Sequence, residues 1–354
     1  MKKQESNNAN FTDLSNNEKN QLKNRVTDSI YTYIQRKRFV KYAISIAAAS
    51  VVGFFSVGIF NKINNNNNQF SIENFVRTTE GKNLEPLENV KLLLNGNQDI
   101  EIDDENSSIA YSSTGQEIKI GNEKSVNQDI IKDKNIVFNT LIVPYGKRSE
   151  IRLADGSKVW LNSGSKLIFP VSFIGKTREV YIEGEGIFEV AHDKNHPFIV
   201  KTSNHEIEVL GTVFNVSNYA DDNAVNTVLQ SGSVQISFKN NSFFNSKKSI
   251  KITPGTIAIY NKANKSLNTN EEDIEKYFSW REGIFIFKND PLHIIMKKIA
   301  RYYNIEIVIN DASLANETFS GHLDVKDHVE NVITTIKETT EFQYHIDDNK
   351  ITIN

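Results

Sequence analysis

The residues best equipped for chemistry fall in one stretch, EGEGIFEVAHD, which holds Glu183, Glu185, Glu189 and Asp193. Side chains two apart share a face of a strand, so Glu183 and Glu185 have the spacing of a glycosidase carboxylate pair. Nothing around them supplies a sugar cleft, and alternating charges on a strand read as its solvated face. His192 and His196 are spaced like a helical metal pair, yet Asn195, Pro197 and the β pattern around them place them in a turn. A metal also needs three or four ligands, and the chain has no cysteine. The glycines of GEG, SGS and LGT sit between β runs, with no helix start to receive a phosphate. No Ser-His-Asp constellation can be assembled. The expectation is therefore a protein that is not an enzyme and has no catalytic residue, metal or cofactor.

The elements around this stretch read as β structure. From about Val90 to Ile259 the pattern has period two, in short runs: Lys91 to Leu94, Ile100 to Ile102, Glu117 to Ile120, Ser149 to Leu153, Lys158 to Leu161, Glu179 to Ile182, Phe198 to Thr202, Glu206 to Leu210, Val225 to Leu229 and Ser233 to Ser237. Asp155-Gly156, between EIRL and KVWL, is a strong hairpin signal because Gly tolerates positive φ. Short strands with no amphipathic helix between them predict an all-β sandwich, barrel or stack.

Upstream, Phe39 to Phe60 (FVKYAISIAAASVVGFFSVGIF) contains a single charge, Lys41. As a helix it is roughly 33 Å long, enough for one membrane span, and its bulky end argues against a cleavable signal peptide. Arg36, Lys37, Arg38 and Lys41 flank its start. Residues 1–41 hold nine Lys or Arg against four Asp or Glu, in a chain whose total charge is -3. The positive-inside rule then puts the N-terminus in the cytoplasm and the C-terminal region outside, so the expected location is the inner membrane, crossed once. The expected division is a short cytoplasmic helical segment (1–38), the span (39–60), an Asn-rich linker (61–69), an all-β domain (70–270) and a C-terminal domain (279–354).

Within 1–38, the residues Leu22, Val26, Ile30 and Ile34 recur every fourth position and form one helical stripe. That stripe suits either a helix lying on lipid headgroups or one that fills a groove on a cytoplasmic partner. The exported part must hold together without disulfides. It shows no clustered basic stripe, which sets nucleic acid aside as a partner.

After Gly283 the period changes. Phe285 to Phe287 reads as a strand, followed by Asp290-Pro291 as cap and first-turn proline of a helix with Leu292, Ile295, Met296, Ile299, Tyr302 and Tyr303 on one face. Ile305 to Ile309 reads as a buried strand. A second unit repeats the order: Thr318 to Leu323, Asp324 as cap, a stripe of Val325, Val329, Val332 and Ile336, then strands Phe342 to Ile346 and Lys350 to Ile353. The prediction is a small α+β module of βαββαββ order.

Four blocks, VPYGKRSEIRLADGSKVWLNSGSKLIFP (143–170), REVYIEGEGIFEVAHDKNHPFIVKT (178–202), VLGTVFNVS (209–217) and TVLQSGSVQI (227–236), resemble in order and spacing the periplasmic domain of FecR-type anti-sigma regulators, most of all their Bacteroidetes branch. The module after Gly283 resembles the C-terminal domain that accompanies it, similar in fold to the short N-terminal domain of secretins and TonB-dependent transporters. The resemblance implies an inner-membrane anti-sigma factor. Its outer domains would contact the periplasmic signalling domain of a TonB-dependent outer-membrane transporter, its cytoplasmic segment would hold an extracytoplasmic-function sigma factor, and regulated proteolysis near the membrane would free that factor. The family has a longer cytoplasmic helical bundle; the segment before the span here resembles its last helix. Expected contacts are Leu22, Val26, Ile30 and Ile34 for the sigma factor. For the transporter they are two edge strands open to strand addition, Phe285, Ile286 and Phe287, and Ile351, Thr352 and Ile353. The competing reading is a membrane-anchored periplasmic adaptor or glycan-binding protein with no cytoplasmic output.

Overall fold

The computed structural model describes residues 15–68, 71–79, 87–94, 98–102, 108–121, 124–129, 136–239 and 247–354. The chain divides into two compact units, Met1–Gln69 and Phe70–Asn354.

The first unit is a single helix, α1 (Asn16–Asn68). Its start is a capping box: Ser15 N donates to Glu18 Oε2 at 2.9 Å, and Glu18 N donates to Ser15 Oγ at 3.4 Å. Leu22, Val26, Ile30 and Ile34 are each about half exposed along it. The helix does not break at Asn61 as the linker expectation has it, but continues to Asn68, since adding residues to a formed helix costs far less than nucleating one. Among the described residues no helix is long and apolar enough to cross a membrane. Positions 40 and 43–48 of the expected span, the expected linker 61–69, and residues 1–14 and 70 lie outside the residues whose side chains are described.

The second unit is built in four layers. Two β-sheets face each other over one core and share a strand, which resolves the open choice in favour of a sandwich. The first sheet runs Gln98–Ile102, Val90–Leu94, Phe138–Val143, Ser165–Pro170, the first half of Arg178–Glu189, Phe198–Lys201, His205–Val209, Val234–Lys239 and Lys247–Ile252. The second runs Lys124–Asn127, Glu117–Ile120, Ser108–Tyr111, Ser149–Arg152, Lys158–Leu161, the second half of Arg178–Glu189, Val213–Asn218, Ala224–Ser231, Thr256–Asn261 and Leu267–Glu271. All the strand runs read from alternation are present. Their inward residues, among them Leu92, Leu141, Leu167 and Phe198 from the first sheet and Ile109, Ile151, Phe188 and Phe214 from the second, form the core.

Arg178–Glu189 changes sheet at Gly184, whose φ is +86°. A Cβ there would lie 2.4 Å from Ser165 Oγ and 2.6 Å from Ser165 Cα, so only glycine can make the switch. The Asp155-Gly156 hairpin forms as expected, with Gly156 at φ +86°.

The outer face of the first sheet is covered by α2 (Ile72–Thr79), which packs Ile72 and Val76 on Phe138, Ile168 and Tyr181. The outer face of the second is covered by the C-terminal module: Ile187, Val228 and Ile257 share a cluster with Trp280, Phe285, Leu292 and Ile299. That module contains the strand Ile284–Pro291, α3 (Leu292–Tyr303), the strand Glu306–Ile309, the short α4 (Ala312–Asn316), the strand Thr318–Asp324, α5 (Val329–Lys337), and the strands Tyr344–Asp347 and Lys350–Ile353. The apolar stripes of α3 and α5 are buried as predicted at Leu292, Ile295, Met296, Ile299, Val332 and Ile336.

Three local expectations are corrected. Pro291, not Asp290, is the N-cap residue of α3, and Asp290 instead accepts from Lys288 N. His328, not Asp324, precedes α5, and Asp324 accepts from Lys326 N. The module makes two small sheets, and Lys350–Ile353 is the central strand of the second, paired with Glu306–Ile309 on one side and Tyr344–Asp347 on the other. Ile351, Thr352 and Ile353 are therefore not an edge. Their strand carries the alternation of a buried centre, with Ile351 and Ile353 at 1% and 0% exposure.

Candidate functional site: the junction between the sandwich and the C-terminal module

The carboxylates that stood out in the sequence do not form a pair. The turn of the chain at Gly184 separates them: Glu183 meets Lys166 at 2.6 Å, whereas Glu185 accepts from Asn162 at 2.9 Å and from Asn215 at 3.0 Å. Glu189 is exposed, and Asp193 pairs with His196 Nδ1 at 2.7 Å. Among the described residues no three His, Asp or Glu side chains gather as a metal site.

Glu185 points instead to the junction, because its partner Asn215 also donates to the Tyr277 carbonyl at 3.0 Å. The junction is crossed by two arginines. Arg148, beyond the Pro144-to-Lys147 turn of the sandwich, donates to the Trp280 carbonyl at 3.0 Å and to the Tyr302 hydroxyl at 3.1 Å. Arg301, from the last turn of α3, reaches the opposite way: Nη2 donates to Asp222 Oδ1 at 2.7 Å and to Asp221 Oδ1 at 2.8 Å, while its guanidinium carbon lies 3.7 Å from the Tyr219 ring centroid. Lys297, one turn earlier on α3, adds contacts of 2.7 Å to Asp222 and 3.0 Å to Asp221. The backbone closes the set, with Gly146 N donating to the Arg301 carbonyl at 3.0 Å.

Burial alone would raise the Asp222 carboxyl, but the hydrogen bonds and charges of Arg301 and Lys297 outweigh it and hold both Asp221 and Asp222 below the usual carboxylate range. Burial works to lower Lys297 and Arg301, but the Asp222 and Asp221 carboxylates outweigh it and raise both. Burial, then the Glu185 charge, pushes the Tyr219 hydroxyl well up, so it stays a donor and bonds the Ser163 carbonyl at 2.8 Å.

Between these contacts lies a cavity of about 410 Å³, lined on one side by Tyr219, Asp221, Asp222 and Asn226 and on the other by Tyr277, Trp280, Ile284–Pro291 residues Phe285 to Phe287, and the α3 residues Lys297, Lys298 and Arg301. Several buried polar atoms around it have no hydrogen-bond partner: Trp280 Nε1, Arg301 Nε, Asn215 Oδ1 and Asn226 Oδ1. The sequence singled out Phe285, Ile286 and Phe287, and they line this cavity. The Asp221-Asp222 pair and Arg301 were not singled out, since partners about eighty positions apart leave no periodic signal. Leu22, Val26, Ile30 and Ile34 lie in the other unit.

Comparison with known proteins agrees with this architecture. Residues 139–235 match the FecR protein family and residues 284–353 match the family described as FecR, C-terminal. Two crystal structures of a candidate anti-sigma factor from Parabacteroides distasonis ATCC 8503 are similar, each at 28% identity and a TM-score of 0.55, covering 61% of this chain and 98% of theirs. No curated protein matches. The match to the FecR protein family thus falls in the sandwich, and the match to the FecR C-terminal family falls in the module across the junction.

Proposed function

We propose that this protein is a single-pass inner-membrane anti-sigma regulator that carries a signal from a TonB-dependent outer-membrane transporter to an extracytoplasmic-function sigma factor. The supporting observation is the stripe of Leu22, Val26, Ile30 and Ile34, exposed on one face of a helix in the same chain as a FecR domain pair. Four aliphatic side chains on one helical face suit a groove on a folded partner. The apolar run 39–60 is the proposed span, with Arg36, Lys37, Arg38 and Lys41 keeping the helix start in the cytoplasm. The sandwich and C-terminal module then lie in the periplasm, where the module contacts the transporter's signalling domain. Proteolysis near the membrane releases the sigma factor. The similarity to a candidate anti-sigma factor supports the same output.

The test is co-purification of the full-length chain, extracted from membranes, with the sigma factor encoded beside it, comparing wild type with Val26→Asp and Ile30→Asp combined. Retention that the double change abolishes is the expected result. A folded sigma factor that wild type does not retain removes the anti-sigma assignment and leaves a periplasmic adaptor without output.

A further inference from the structure

Three elements meet at the junction cavity, whose volume of about 410 Å³ is in the range of small-ligand sites. Asn226 comes from the strand Ala224–Ser231, two residues from Val228 and therefore on the same outer face of the second sheet. Trp280 comes from the 3₁₀ turn Ser279–Glu282 that leads into the module, and Arg301 from the last turn of α3. All three side chains line the cavity, and each has a buried polar atom without a hydrogen-bond partner among the described residues: Asn226 Oδ1, an acceptor, and Trp280 Nε1 and Arg301 Nε, both donors. Trp280 is only 5% exposed, and a buried indole N–H ordinarily has an acceptor. The Arg301 Nη atoms are engaged with Asp221 and Asp222, while Nε is not.

The charges of the lining cancel. Four carboxylates and four Lys or Arg side chains face the cavity. Arg301 and Lys297 hold Asp221 and Asp222, and Lys276 meets Asp290 at 3.5 Å. Glu185 and Lys298 have no ion-pair partner among the described residues, but they are of opposite sign, and Glu185 accepts from the amides of Asn162 and Asn215. A ligand with net charge would bring an uncompensated charge into the junction, which costs far more than burying hydroxyls that find partners. Aromatic side chains, among them Tyr277, Phe285 and Tyr302, supply apolar ring surface. The cavity therefore suits a neutral molecule with apolar C–H faces and with groups that both donate and accept. A hydroxyl is a neutral group that does both at one atom.

We propose that the junction cavity binds a neutral polyhydroxylated molecule of the sugar class. One hydroxyl donates to Asn226 Oδ1, others accept from Trp280 Nε1 and Arg301 Nε, and the C–H faces lie against the aromatic rings. Because Asn226 belongs to the sandwich and Arg301 to the module, bound sugar ties the two together and stabilises the folded junction by mass action. Its occupancy needs neither the sigma factor nor the transporter.

The test is calorimetric titration of the full-length chain, held in a detergent without a sugar headgroup, with glucose, galactose, mannose, N-acetylglucosamine, cellobiose and lactose. L-Alanine and inorganic phosphate serve as zwitterionic and anionic controls. Trp280→Phe keeps a ring and removes the Nε1 donor, and Asn226→Ala removes the Oδ1 acceptor. Asn204→Ala, at the separate cavity beside Lys201 and His205, is the remote control. Expected is binding of at least one of the sugars, weakened about fivefold by Trp280→Phe and by Asn226→Ala and unchanged by Asn204→Ala. Absence of binding by every sugar leaves these atoms to water alone and overturns the proposal. Wild-type sugar affinity in either folded cavity variant overturns it as well, and Asn226→Ala decides alone should Trp280→Phe fail to fold. Alanine or phosphate bound in place of the sugars, and lost in the same variants, overturns the assignment to a neutral ligand.

Discussion

The Arg301 guanidinium stacks on the Tyr219 ring at 3.7 Å while its nitrogens hold Asp221 and Asp222, so one side chain of the C-terminal module is gripped by three residues of one sandwich loop. A planar, delocalised cation can stack and fork at once, which an ammonium cannot. Arg301→Lys should therefore lose most of what Arg301→Ala loses, about 2 kcal/mol, through the stack and the charged hydrogen bonds. A double-mutant cycle of Arg301→Ala with Tyr219→Leu, read by chemical unfolding, should show a coupling of about 1 kcal/mol. Additive losses would mean that the stack contributes nothing.

The second sheet is buried on both faces, and its outer face carries Ile187, Val228 and Ile257 at 1% exposure or less. These side chains share their cluster with the module and with Ile274, Tyr277, Phe278 and Trp280 just before it. A chain ending after residue 272 exposes three aliphatic residues, each stabilised by about 1.5–3 kcal/mol when buried. It should bind a hydrophobic dye and aggregate where the full chain does not. A soluble, dye-silent truncation would show that the sandwich does not depend on the module for cover.

Whether one face or both faces of a strand are buried, in either sheet, also explains which strands the sequence revealed. Ser149–Arg152 and Glu206 to Val209 alternate because one face is more open, and their period is visible. Phe138–Val143 is buried at all six positions, since Phe138 lies under α2 and Leu141 in the core, so no alternation marks it. The stripes of α3 and α5 were legible because each helix buries one face. The junction was not: Arg148, Arg301, Asp221 and Asp222 read as ordinary surface charge until the fold brings them together. The carboxylates of EGEG misled for a related reason, because Gly184 breaks the alternation that would have paired them.

Gly184 gives the sharpest backbone prediction. A Cβ there must displace Ser165, whose Oγ accepts from Glu185 N at 2.9 Å and whose Cα would be only 2.6 Å away. The positive φ adds its own penalty of about 1–3 kcal/mol. Gly184→Ala should therefore destabilise by more than about 2 kcal/mol. Gly156→Ala, with a similar φ but open space around it, should cost about 1 kcal/mol. Equal losses, measured by urea unfolding, would show that the sheet switch tolerates a side chain.

His205 gives the protein a pH-dependent stability. It is 4% exposed, its ring lies 5.6 Å from that of Tyr260, and neither ring nitrogen has a hydrogen-bond partner. Burial lowers its pKa from 6.5 to about 4. The folded chain therefore refuses a proton that the unfolded chain accepts between those values. Bound protons are then more numerous in the unfolded state, and stability rises with pH across that window. The contribution is complete above about pH 6.5 and is lost as the pH falls toward 4, to an extent on the order of 3 kcal/mol. His205→Phe keeps the ring contact with Tyr260 and removes the titration. Urea unfolding at pH 7 and pH 4.5 should show a smaller loss on acidification in His205→Phe than in wild type. The same loss in both would assign the acid sensitivity to the carboxylates, such as Asp222, whose pKa is held low by Arg301 and Lys297 and whose contribution is likewise lost as pH falls.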